Sequence, residues 1–179
     1  MTAEERLQPF KWELLAIGPN DYQELAKEVL LRLPNDSLWT MSASSSGKYH
    51  LPDEQGKGGL LLHTKRVVKV AVILCQAHID INTPAVLCGA LLHDIARYGL
   101  QEEPSEYSLS EHPTLAAGFI ILSGIGTQWK VAELVERHMG RWGKVKPDTL
   151  EEWTVHTADM IASQYTPSME MPKGIIMKA

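Results

Sequence analysis

The sequence predicts an all-α fold, a single helical bundle of about seven helices. Three observations lead there. Apolar residues recur at spacings of three and four along most of the chain, no stretch alternates convincingly like a strand, and Gly, Pro and small polar residues punctuate the periodic runs where helices begin and end. Taken in order, the spacing predicts helices over 4–16 and 20–33, the second capped by Asn20-Asp21 and stopped at Pro34. Residues 34–59 carry no usable period and are rich in Ser, Gly and Asp. Helices follow over 60–79, 84–98, 110–123, 127–140 and 149–164. Pro84 and Pro113 fit in first turns, Ser110 reads as an N-cap, Gly99 and Gly140 read as C-terminal stops, and Thr149 with Glu152 has capping-box spacing. No internal repeat is visible. The organisation read from this is a helical extension over 1–39, a central domain over 40–165 and a tail over 166–179.

Composition bounds the function. A chain of 179 residues is long enough for one domain with a real core, and 44% hydrophobic with 22% charged residues is a globular composition. A net charge of −5 argues against broad affinity for extended duplex nucleic acid, which needs a positive field, but leaves room for a nucleotide or short oligonucleotide. Cys75 and Cys88 sit in apolar runs and read as buried free thiols of a reducing compartment. The longest apolar stretches are broken before membrane-spanning length, and the N-terminus does not read as a signal peptide. A cytoplasmic protein with no membrane partner is the expectation.

Six residues carry the chemistry: His63, the pair His93-Asp94, His112, His138 and Asp159. His63 shares a helical stripe with Val67, Val70 and Leu74; His112 aligns with Leu115, Ala116 and Phe119; His138 with Val131, Leu134 and Val135; Asp159 with Val155 and Ala162. His93 and Asp94 end the most apolar segment, 85–92. Imidazole and carboxylate groups are rarely pushed into apolar faces without a partner. Here they point at one interior, and imidazole nitrogen with carboxylate oxygen is a ligand set for divalent first-row metals.

The order His63, His93-Asp94, His112, His138, Asp159, with Gly58-Gly59-Leu60-Leu61-Leu62-His63-Thr64 leading in and Ala90-Leu91-Leu92-His93-Asp94-Ile95 at the centre, resembles the HD-domain metal-dependent phosphohydrolase superfamily over about residues 40–165. The lead-in is also similar to the HD domain of certain bacterial 3′-to-5′ exoribonucleases, without their nucleic-acid-binding barrel. The resemblance implies that His63, His93, Asp94 and Asp159 hold one metal. It further implies that His112 and His138 hold a second beside a bridging Asp94. Two divalent ions, chosen among Fe, Mn, Co, Ni and Zn, are the cofactors expected. Such a pair activates a shared water and stabilises the entering and leaving oxygens of a phosphoryl transfer.

Around the six, the resemblance implies that Arg97 meets phosphate, and Arg97 is expected to be a catalytic group with Asp94. Arg66 and Arg141 are further phosphate candidates, Arg137 reads as surface charge, and Lys48, Tyr49 and His50 in the Ser- and Gly-rich loop are expected to grip the substrate, the rings by stacking on a base. His156 reads as a contact near Asp159 or an exposed residue, His78 as surface, and Trp129, Trp142 and Trp153 as core or as lining for a base pocket. The expected function is hydrolysis of a nucleotide-type phosphoester or phosphoanhydride, whether by phosphomonoesterase, phosphodiesterase or pyrophosphohydrolase action. A di-iron oxygenase with the same ligands and a non-catalytic nucleotide-binding module are the alternatives. The N-terminal helices and the Met-rich tail are surfaces that a homodimer could use.

Overall fold

The computed structural model of the protein describes residues 1–47 and 49–163, and all regular structure among them is helical. Helix α1 (Ala3–Leu7) opens on a capping box, in which the Thr2 hydroxyl and the Glu5 carboxylate each accept the other residue's amide. Pro9 lacks an amide to continue a ladder, so the chain passes through a 3₁₀ turn (Gln8–Phe10) before α2 (Lys11–Ile17). The one helix expected over 4–16 is therefore two. Helix α3 (Asp21–Arg32) starts at Asn20, whose side chain accepts from the Tyr22 and Gln23 amides. The segment expected to be without structure over 34–59 holds α4 (Ser37–Thr40) and a 3₁₀ turn (Pro52–Glu54), both too short to show a period.

Helices α5 (Gly59–Cys75), α6 (Thr83–Leu92), α7 (His112–Ile121), α8 (Gln128–Glu136) and α9 (Leu150–Ala162) form the rest. Thr149 and Glu152 make the capping box that their spacing predicts. Ser110 does not cap α7: the N-cap is Glu111, and the Ser110 hydroxyl donates to that residue's carboxylate instead. Helix α6 stops at Leu92 and not at 98. The His93 ring donates Nδ1–H to the Ala90 carbonyl at 2.8 Å, which takes that oxygen from the helix ladder, and the chain turns through residues 93–98.

Helix α6 is the axis of the bundle. Every residue from Ala85 to Leu92 is buried, beneath α2, α3, α5, α8 and α9. Each large aliphatic side chain buried this way contributes about 1.5–3 kcal/mol. Gly89 lets α8 come close, since a Cβ there would lie 3.1 Å from Leu134 Cβ. Cys75 and Cys88 are free and buried, and burial pushes both thiols up in pKa. Three of the five tryptophans, Trp129, Trp142 and Trp153, are not core, being 61%, 58% and 49% exposed; on α8 and α9 Val131, Leu134, Val135, Val155 and Ala158 fill the inward faces. No helix among the described residues is long and apolar enough to cross a membrane.

Candidate metal centre

The bundle brings His63, His93, Asp94, His112, His138 and Asp159 together in its interior, none more than 6% exposed. Five segments supply them: the second turn of α5, the turn after α6, the first residue of α7, the turn after α8, and α9. Two groups result. His63 Nε2 lies 3.1 Å from Asp159 Oδ1, with His93 Nε2 at 3.9 Å from the same oxygen. Asp94 Oδ1 lies 2.9 Å from His112 Nε2 and 3.5 Å from His138 Nε2. The other oxygen of Asp94, Oδ2, faces His93 Nε2 at 3.5 Å, so one carboxylate stands between the groups.

The donor atoms fit divalent cations. In each group the ligand atoms lie within 4.8 Å of one another. His63 Nε2, His93 Nε2 and Asp94 Oδ1 are buried with no hydrogen-bond partner, a costly state that a cation among them relieves. Backbone contacts set the tautomers. His93, His112 and His138 donate Nδ1–H to the carbonyls of Ala90, Leu109 and Val135 at 2.8, 2.6 and 2.7 Å. Each Nε2 lone pair is thereby aimed at the centre.

Electrostatics divide the histidines. Burial disfavours charge on His63, yet the Asp159 and Glu54 carboxylates outweigh it and raise its pKa to about 9. Burial lowers His93 to about 4 against the pull of Asp94 and Asp159, and lowers His112 as well. Asp94 and Asp159 are ionised despite burial: Arg97 and His93 hold the first far below the usual carboxylate range, and His63 and His93 hold down the second.

The flanking candidates fall differently. Arg97 enters the site, with Nη1 3.5 Å from Asp94 Oδ1 and 3.3 Å from His112 Nε2. Arg66 turns away: its guanidinium takes both oxygens of Asp53, at 3.1 and 2.6 Å, and Glu54 Oε1 at 2.5 Å, which spends its donors on protein carboxylates. Arg141 stacks over Trp142 at 4.3 Å, and Arg137 pairs with Glu152 and donates to the Lys146 carbonyl. Tyr49 is 70% exposed. His50 is buried against Glu54 and edge-on to the His63 ring, so no face is free for a base to stack on. Lys48 and residues 166–179 lie outside the described residues. His156 donates Nδ1–H to the His138 carbonyl at 2.6 Å, and its ring fills the space a Cβ on Gly140 would need. His78 is exposed.

Glu54 is the residue that sequence reasoning missed. It is fully buried, with Oε2 3.1 Å from His50 Nδ1 and 3.6 Å from His63 Nδ1. Its own period-free surroundings hid it, but the Gly58-Gly59 pair was a signal. A Cβ on Gly59 would fall 1.8 Å from the Glu54 carbonyl oxygen, so only glycine lets α5 begin against that backbone.

A helical bundle whose five segments converge imidazoles around an HD pair defines a class, and the sequence pattern of the HD domain family matches residues 60–163. The chain belongs to that family, within the metal-dependent phosphohydrolase superfamily. It is similar to the dihydroneopterin 2′,3′-cyclic phosphate phosphodiesterase of Methanocaldococcus jannaschii, 29% identical over 115 residues. That similarity takes in 58% of this chain and 45% of the relative, so less than half of the relative's length is represented. No solved structure matched the chain.

Proposed function

We propose that the protein hydrolyses a phosphodiester or phosphoanhydride bond of a nucleotide-type substrate at a two-metal site, with a cyclic phosphodiester the first class to test. The observation that carries this is Asp94: its two oxygens face two separate groups of ligands, His93 on one side and His112 with His138 on the other. A carboxylate so placed offsets the repulsion between two cations. Divalent ions at such a pair supply a water of lowered pKa and positive charge for the phosphoryl oxygens.

The residues do the rest. Asp94 and Asp159 contribute two negative charges, against which two divalent ions and Arg97 leave the centre positive and attractive to an anion. The Nε2 atom of His112 serves either an ion or the Arg97 contact, so loading the site frees Arg97 Nη1 for a phosphoryl oxygen. The apolar shell of α6, α8 and α9 keeps bulk water away and strengthens each of these interactions. The cyclic-phosphate substrate for which the archaeal relative is named supports the choice of a diester.

The test is turnover of 2′,3′-cyclic nucleotides, linear dinucleotides and nucleoside polyphosphates by Mn- or Fe-loaded protein, in air and under anoxia. Hydrolysis of one of them without oxygen, lost in His112→Ala and His138→Ala, is the expected result. Product formed only in air makes the protein an oxygenase, and binding without turnover makes it a nucleotide-binding module.

A further inference from the structure

Three of the four ligand histidines share one device and the fourth cannot use it. His93, His112 and His138 each lie at or beyond a helix end, where the carbonyl three residues back is open to the ring's Nδ1–H. His63 lies inside α5, and its equivalent oxygen, on Leu60, belongs to the helix ladder. Its Nδ1 is buried without a hydrogen bond. The acceptor facing it is Glu54 Oε2, at 3.6 Å.

We propose that Glu54 is the positioning residue of His63, holding the ring as the Nδ1–H tautomer so that Nε2 serves a metal. This rests on the metal-dependent reading above. Glu54 is itself fixed on three sides. Arg66 Nη1 holds Oε1, His50 Nδ1 holds Oε2, and its backbone carbonyl accepts the Ala43 amide at 2.9 Å while pressing on Gly59. A ring rotation of a few tenths of an ångström closes the His63 contact to hydrogen-bond length. His50, Glu54 and His63 also form a buried trio with metal-ligand atoms. The Arg66 guanidinium already supplies the positive charge that Glu54 needs, and a cation in the trio would compete with the first group for His63. Support of one ion is therefore the role assigned, not a third ion.

The test uses the full chain loaded with zinc, read by metal affinity against a competing chelator and by the ¹⁵N signals of the His63 ring. Glu54→Ala should weaken zinc binding about 10- to 100-fold, the cost of removing a carboxylate behind a ligand histidine. Glu54→Gln, which keeps the volume and an acceptor oxygen, should recover part of that. In the wild type His63 should be protonated at Nδ1 and metal-bound at Nε2, a readout that needs no variant to fold. His63 bound through Nδ1, or zinc affinity unchanged in both variants, overturns the proposal alone. Three ions per wild-type chain, with one lost in His50→Ala, overturns it in favour of a third site. Failure of the wild type to bind any divalent ion removes the metal-dependent reading as well.

Discussion

The two halves of the centre are held in different ways. On the side of Asp94, His112 and His138, the rings are oriented by main-chain carbonyls in turns at helix ends. On the side of His63, His93 and Asp159, His93 uses the same main-chain device, but the His63 ring inside α5 relies on Glu54, itself held by His50 and Arg66. A carbonyl cannot be removed by substitution, whereas a carboxylate can. The first arrangement resists mutation, and the second offers a place to adjust the affinity of one ion without touching a ligand. A histidine's position within its helix decides which support it needs.

Removing what the halves share has the largest effect. Asp94→Asn should lower kcat/KM by about 10³-fold or more and deplete both ions, seen by turnover and metal analysis together. Arg97→Ala acts on one side only: kcat should fall about 10²-fold with metal content intact, since a group that meets developing charge is lost and no ligand is. Loss of metal in that variant would mean that Arg97 supports the site and does not touch substrate.

A pH titration of the metal-free protein separates the sides next. His63 has its folded pKa raised from 6.5 to about 9, so its ion pairs stabilise fully below about pH 6.5 and are lost as pH climbs through 9. His93, lowered to about 4, is neutral across that window and adds no slope there. Tm should therefore decline between pH 6.5 and 9 in the wild type and more shallowly in Glu54→Gln, by differential scanning calorimetry. An equal slope in the two would detach His63 from Glu54. The smallest effect on the site belongs to Val135→Ala. It removes the side chain beside a carbonyl that orients His138 and should cost about 1–3 kcal/mol of stability, yet leave metal affinity within about twofold. An affinity loss matching that of Glu54→Ala would erase the distinction between main-chain and side-chain support.

The helices were legible because apolar period and punctuation agree: Asn20, Pro84 and the Thr149 box lie where helices begin. The convergence of His63, His93, Asp94, His112, His138 and Asp159 was legible because imidazoles and carboxylates seldom occupy apolar faces unless they meet one another or a cation inside. What hid was set by contacts distant in sequence or by loops. Arg66 reads as an inward cation, but its partners Asp53 and Glu54 come from a segment with no period. Glu54 is enclosed by His50, His63 and Arg66, where its backbone closes on Gly59 in a way that no hydrophobic pattern encodes. Of the two readings of Trp129, Trp142 and Trp153, core is ruled out by their exposure, since ring size is no sign of burial where smaller residues fill the inner faces of α8 and α9.

Helix α6, packed on every side, has a consequence for how this chain tolerates change. A rod with no open flank cannot slide or roll without opening a void or a clash, so His93 and Asp94 at its end take their coordinates from the combined volume of its neighbours. A larger residue at Gly89 should then be accepted only with compensating changes at Leu134 or Val155. In a collection of related chains, these positions should covary as one set, recording the placement of the centre in residues that never touch it.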